Sequence, residues 1–354
     1  MIKELIIHLG DRKTGSTSIQ GVLASRGWRC ETADIVYPSR ANHCKLARAI
    51  TANNKEFLQK RGPEIRQRLL RSKADFGVIS AEDFEVANPL QLSKFVDNYL
   101  PEFRSSMRLI AYIRPHADRL LSSFAERVKS GTFFGGLNEL HEYFLSKRFL
   151  TYLPRLQAWR DVFAGQVTFR VFKRDHLHNF DVVQDFLTFV LGNNIYCVDG
   201  VIQRNQSLCI EDLVMLREAH RTMIRQYGDQ ISRSSRIAFG KSMGRLLATQ
   251  SAKGTPLRLH HELADRVHDA YLQDALALDA NFFTDQPMTK SLRMEHTNSP
   301  VHAQQLEASL YFSPAEIGRI RCWAELIGGF FVSKSGNPVA SLMPSPLSNH
   351  PLKN

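Results

Sequence analysis

The chain has no apolar run close to the roughly 20 residues that span a bilayer, so no membrane-crossing helix is expected. Its cysteines are few and scattered: Cys30, Cys44, Cys197, Cys209 and Cys322 form no C-x-x-C pair. This argues against a zinc site or a disulfide framework and leaves reduced thiols as the expectation. Histidines show no metal-ligand spacing; His260 and His261 are adjacent and point apart on a helix, so no metal is expected. The N-terminus opens on the strand-like Leu5-Ile6-Ile7-His8-Leu9, without the basic segment and apolar stretch of a signal peptide. A cytoplasmic location is the matching expectation. Internal repeats and heptads are absent.

What is present is ample apolar material and surplus positive charge. The chain has 354 residues, 43% of them hydrophobic, enough for a large core. A net charge of +11 favours polyanionic partners. The basic residues Arg61, Arg66, Arg68 and Arg71 are not interleaved with aromatics and read as a solvated helix face, so no nucleic-acid partner is expected.

Apolar runs at Leu5–Leu9, Phe76–Ile79 and Leu109–Ile113, and an alternating run at Val167–Phe172, predict strands. Helical spacing after residue 16 and over 42–70, 89–100, 116–130, 137–163 and 181–191 falls between and beside them. That alternation predicts an α/β fold with a mostly parallel central sheet flanked by helices. Beyond residue 205 the pattern is helical, over 209–226, 259–278 and 314–328, the last opened by a capping box at Ser313 and Glu316. The polar stretch 286–305 reads as a linker or loop. The domain reading is an α/β domain over 1–230, a helical extension over 231–332 and a loose tail over 333–354.

The strongest local signal is Gly10-Asp11-Arg12-Lys13-Thr14-Gly15-Ser16-Thr17-Ser18, between a strand and a helix. Backbone N–H groups of such a turn converge on an anion, and the helix N-terminus adds a favourable dipole. Hydroxyls of Thr14, Ser16, Thr17 and Ser18 could add donors, Arg12 and Lys13 charge. A Walker A loop, G-x-x-x-x-G-K-[ST], requires lysine where Ser16 stands; here the lysine is at position 13. The second signal is Arg114, which ends a strand, with Ser122 eight residues later on the next helix. A guanidinium fork plus a hydroxyl suits a phosphate dianion.

Together these stretches resemble the two nucleotide loops of sulfotransferases that use 3′-phosphoadenosine 5′-phosphosulfate (PAPS), especially bacterial carbohydrate-type members. In that family a lysine precedes a T-G-[ST]-[ST]-[ST]-like run, and an R-(x)7-S pair holds the 3′-phosphate. Here Pro115 directly follows Arg114, so the family's intervening residue is missing. Weaker likenesses are Ile35-Val36-Tyr37-Pro38 with Asn42-His43, Ser80-Ala81-Glu82-Asp83, Phe172-Lys173-Arg174, Asp185-Phe186-Leu187 and Arg204-Asn205-Gln206-Ser207-Leu208. The likeness covers about 1–230 clearly and fades by 283.

The resemblance implies a P-loop-like three-layer fold and in-line transfer of a sulfuryl group from PAPS to a hydroxyl or amine, with a saccharide as the expected acceptor. It implies Arg12, Lys13, Thr14, Gly15, Ser16, Thr17, Ser18, Arg114 and Ser122 as nucleotide-binding residues and Lys13 as the cation at the leaving oxygen. Either Glu82 or His43 would be the base, with Glu82 preferred. Trp28 or Phe172 could stack on the adenine. Two other classes compete: a P-loop-type nucleotide kinase or phosphotransferase, for which Lys13 is misplaced, and a non-enzymatic polyanion-binding protein, suggested by charge alone.

Overall fold

The structure, a computed structural model, describes residues 1–199, 208–250 and 254–333. The likeness at Arg204–Ser207 and all but the first residue of the expected tail lie outside the described residues.

In chain order the elements are β1 (Glu4–His8), α1 (Ser16–Ser25), β2 (Trp28–Cys30), β3 (Ile35–Val36), α2 (Cys44–Thr51), α3 (Lys55–Arg71), β4 (Phe76–Ser80), α4 (Pro89–Tyr99), β5 (Met107–Ile113), α5 (His116–Lys129), α6 (Leu137–Ser146), α7 (Leu153–Val162), β6 (Val167–Val171), α8 (Val182–Leu191) and β7 (Tyr196–Val198). Then come α9 (Ile210–Tyr227), α10 (Arg233–Gln250), α11 (His261–Phe282), α12 (Pro287–Asn298) and α13 (Pro314–Val332). None of the described helices is long and apolar enough to cross a membrane.

The described residues fall into two units that interleave in sequence. One draws on 1–119, 144–199 and 262–298, the other on 120–143, 208–250, 254–261 and 299–333. The first unit is the α/β part. Its five strands are all parallel, in the order β3-β4-β1-β5-β6. The central strands are apolar on both faces, as a doubly covered parallel sheet requires: Leu5, Ile6 and Ile7 of β1 and Leu109 to Ile113 of β5 are buried. Tyr112 and Ile6 pack against Val183, Phe186, Leu187 and Val190 of α8 and against Ile19 and Leu23 of α1. A separate antiparallel ribbon pairs β2 with β7. The second unit, α-helical among its described residues, is built on α9 against α13. Tyr227 donates to the Glu325 carbonyl at 2.8 Å and Arg321 pairs with Glu218 at 2.6 Å.

The chain breaks where propensity alone did not say it would. The periodic stretch 42–70 is two helices, because Asn53 turns at φ 49° and the Asn54 side chain caps α3 by accepting from Phe57 N–H. The stretch 137–163 also divides, into α6 and α7, with Arg148 at φ 51° between them. The segment expected as a linker over 286–305 contains α12, whose first turn is capped by Asp279 of α11. That carboxylate accepts from Met288 N–H at 3.0 Å and Thr289 N–H at 2.9 Å. A cap supplied by the preceding helix leaves no local sequence signature.

Candidate anion-binding site at the carboxyl edge of the sheet

Within the first unit, the carboxyl ends of three neighbouring strands, β4, β1 and β5, carry Glu82, the Gly10–Ser18 loop and Arg114. Chain order jumps across β1 here, since β4 lies on one side and β5 on the other. Open α/β sheets form their ligand crevice at such a switch.

The loop is tied down from below. Tyr112 N–H donates to the Gly10 carbonyl at 2.8 Å, and Asp11 N–H to the Tyr112 carbonyl at 3.2 Å. The Asp11 carbonyl accepts from the hydroxyls of Thr14 at 2.6 Å and Ser16 at 3.0 Å. Those two hydroxyls therefore close the turn and do not point outward as donors. The buried Asp11 carboxylate takes a bidentate fork from Arg155 at 2.7 and 2.6 Å. That pairing holds Arg155 above its usual range although burial acts the other way. A residue 144 positions away thus fixes the loop base, which no motif could announce.

Two glycines are required by geometry. Gly10 has φ 97°, and a Cβ there would stand 3.1 Å from the Glu82 Cα. Gly15 has φ 79°, and a Cβ would come within 2.6 Å of Val182. Gly15 is also the N-cap of α1 and leaves that helix start without a side-chain cap. The Ser18 N–H donates back to the Gly15 carbonyl at 2.9 Å, while the N–H groups of Ser16 and Thr17 keep their partial positive charge for another acceptor. Thr17 is exposed and Ser18 half-buried beside this opening.

The charged residues divide into paired and unpaired. Arg12 gives its guanidinium to Asp83 at 2.5 Å and its N–H to Glu85 at 3.2 Å. Asp83 takes a second guanidinium from Arg48 at 2.6 Å. Burial would raise the Asp83 carboxyl, but the two arginines hold it below its ordinary range. Arg119 donates to the Arg12 carbonyl and pairs with Glu85. Arg12, expected to bind the nucleotide, is instead half of a wall that shapes the loop.

Arg114 is different. Its guanidinium donates to the Lys13 carbonyl at 2.9 Å and lies 5.4 Å above the Phe172 ring. Among the described residues it meets no carboxylate at ion-pair distance, and its buried Nε has no acceptor. Burial pulls its pKa down, while Asp118 acts only as a weaker opposing charge. Lys13 sits at φ 65°, the left-handed turn that presents its carbonyl to Arg114. Ser122 lies further along α5, in the second unit.

Glu82 opens a short 3-10 turn, Glu82–Val86, directly after β4. Its backbone rests against Gly10, and it is half-buried. Its carboxylate has no hydrogen bond or ion pair among the described residues. His43 is 3% exposed. Its Nδ1 accepts from Ser80 N–H at 3.2 Å, so its proton sits on Nε2, a buried atom with no partner. Burial pushes its pKa down to about 4. The lone pair of this neutral ring is already engaged. The Ser80 hydroxyl also accepts from Gln20 at 3.1 Å and shares a 2.8 Å hydrogen bond with His8. Trp28, by contrast, is packed in the core, whereas Phe172 is half-buried between Gly15 and Arg114. Among the described residues, no three His, Cys, Asp or Glu side chains form a metal-binding group.

No family model, no curated protein and no solved structure matches the chain.

Proposed function

We propose that the protein is a PAPS-dependent sulfotransferase. One observation carries the reading: Arg114, desolvated and without a carboxylate partner among the described residues, is held against the carbonyl of Lys13 in a loop that ends at an uncapped helix start. Two demands for negative charge, one from a guanidinium and one from a helix N-terminus, stand on adjacent strand ends. A nucleotide with phosphates at both 5′ and 3′ positions answers both.

In this reading the backbone donors of Gly15, Ser16 and Thr17 take the 5′-phosphosulfate, with Thr17 and Ser18 the hydroxyls left to assist. Arg114 takes the 3′-phosphate, and Phe172 offers the ring for the adenine. The nucleotide supplies an activated sulfuryl group. Lys13 supplies the charge that stabilises the oxygen left behind, the preorganised electrostatic contribution that dominates many transfers. Glu82 is the base. Its carboxylate makes no hydrogen bond or ion pair among the described residues and feels Arg12 only as a nearby charge, whereas His43 has its lone pair occupied. The acceptor class is a hydroxylated or amine-bearing compound, with a saccharide favoured by the resemblance.

Calorimetric titration with 3′-phosphoadenosine 5′-phosphate, against ATP and 5′-AMP, tests this. The expected result is binding that depends on the 3′-phosphate and weakens by about 1.5–3 kcal/mol in Arg114→Ala, the range for a hydrogen bond to a charged group. Equal binding of ATP, or no loss in the variant, overturns the assignment.

A further inference from the structure

We propose that the outer face of α2 and α3 is a docking surface for an acidic polysaccharide. The surplus positive charge of the chain is concentrated there. Residues 40–73 hold ten Lys and Arg against two carboxylates, a surplus of eight within a whole-chain surplus of eleven. Of the two carboxylates, Glu64 is taken by Arg61 at 2.6 Å, and Glu56 lies in the first turn of α3, where the helix dipole favours it. Arg48 and Arg66 are paired with Asp83 and Glu102 from outside the segment, which leaves the remaining cations to carry the surplus.

The geometry arranges this charge in a stripe. Leu58, Gly62, Ile65 and Leu69 form the buried side of α3. Lys60, Gln67, Arg68 and Arg71 fall on one exposed side, at helical spacings of seven, eight and eleven. Lys60, Arg68 and Arg71 have no carboxylate partner among the described residues. At the end of the stripe is a cavity of about 330 Å³ lined by Val36, Gln67, Arg68, Arg71 and Ser72. The Ser72 hydroxyl accepts from Ala74 N–H at 3.1 Å and keeps its own proton to donate.

The chemistry selects among polyanions. No large apolar side chain is exposed among residues 40–73, which removes the wedge an interfacial helix sinks into lipid. No exposed aromatic residue lies on the stripe for bases to stack on; Phe57, three residues before Lys60, is half-buried. The cavity combines two guanidiniums with an amide, a hydroxyl and an apolar valine. A sugar ring bearing one acid group, with hydroxyls and an apolar face, uses that whole mixture; a phosphodiester uses only the charge.

This surface stands independently of the sulfuryl-transfer reading, and its test is separate from nucleotide binding. The full chain and K60A/R68A/R71A are titrated with fluorescent heparin, duplex DNA and phosphatidylserine vesicles at several salt concentrations, with circular dichroism to verify folding. The expected result is heparin binding that the triple variant weakens tenfold or more. The salt slope should fall by about two to three, one for each lost contact to a charged group on the polymer. A second, charge-reversed variant, Arg68→Glu, should lose more than Arg68→Ala. No heparin binding at low salt, unchanged binding by the variants, or tighter binding of DNA or vesicles than of heparin overturns the proposal.

Discussion

Lys13 and Glu82 are assigned to different moments of the proposed reaction, and substitution separates them. Lys13 acts on charge that develops as the sulfuryl group leaves, so Lys13→Ala should lower kcat by about 10²–10³-fold, with a smaller effect on binding of the desulfated nucleotide. Glu82→Gln removes a proton acceptor and should lower kcat by about 10²–10⁴-fold, with nucleotide affinity intact. Rates measured with labelled PAPS, beside calorimetry on each variant, check both. A variant that binds poorly and turns over normally would reverse the roles. That Lys13 and Gly15 lie in a turn between a strand and a helix, and Arg114 at a strand end, was legible in the sequence because it follows from short-range pattern. The fates of Arg12, Thr14 and Ser16 were not. Asp83, Glu85 and the Asp11 carbonyl claim their polar groups, and those partners are fixed by tertiary structure. The same holds for His43, whose type suggested a base but whose ring is a buried acceptor for Ser80 N–H.

At the scale of elements, strands were easier to read than helix ends. The runs at 5–9, 76–79, 109–113 and 167–172 each correspond to a strand of the parallel sheet, within two residues at the ends; the first three are continuous apolar runs, as doubly covered strands write their burial, and the fourth, half-buried strand alternates. The short strands β2, β3 and β7 were missed; two or three residues carry no period. Among the missed devices is Asp274 of α11, which accepts from His116 Nε2 at 2.9 Å and from Tyr152 N–H and Leu153 N–H at 3.0 Å each. One carboxylate thus serves the start of α7 and the turn after Arg114. Burial would raise its pKa, yet His116 and these N–H groups hold it below the ordinary carboxylate range. The Tyr152 hydroxyl donates in turn to the Arg114 carbonyl at 3.1 Å. Asp274→Ala should cost about 3–5 kcal/mol in urea unfolding, as loss of one partner of a buried charged network does. Asp274→Asn, which keeps an acceptor, should cost less. Equal stability of wild type and Asp274→Ala would remove α11 from the support of the Arg114 turn.

The first unit as a whole should weaken in mild acid, above the range where carboxylates titrate. His8 and His43 are both buried, and burial pushes their pKa values down from 6.5 to about 3 and about 4. A depressed histidine stays neutral in the folded state while the unfolded chain takes up a proton. Stability is therefore complete above about pH 6.5 and declines as pH falls toward the folded values, with a slope of about 1.4 kcal/mol per pH unit for each ring. By pH 5 the loss is on the order of 2 kcal/mol per histidine. Carboxylates held low by arginines, such as Asp83, begin to contribute only at lower pH, whereas Glu85, pushed up by burial and by Asp11, acts in the opposite direction, so substitution is what isolates the histidine share. Urea unfolding at pH 7, 6 and 5 measures the slope. His43→Gln keeps an oxygen to accept from Ser80 N–H but cannot titrate, so it should flatten the slope between pH 6.5 and 4 by one proton. If His43→Gln retains the wild-type slope, His43 is not neutral in the folded protein, and the argument that its lone pair is occupied fails with it. In that case His43 regains its place beside Glu82 as a base.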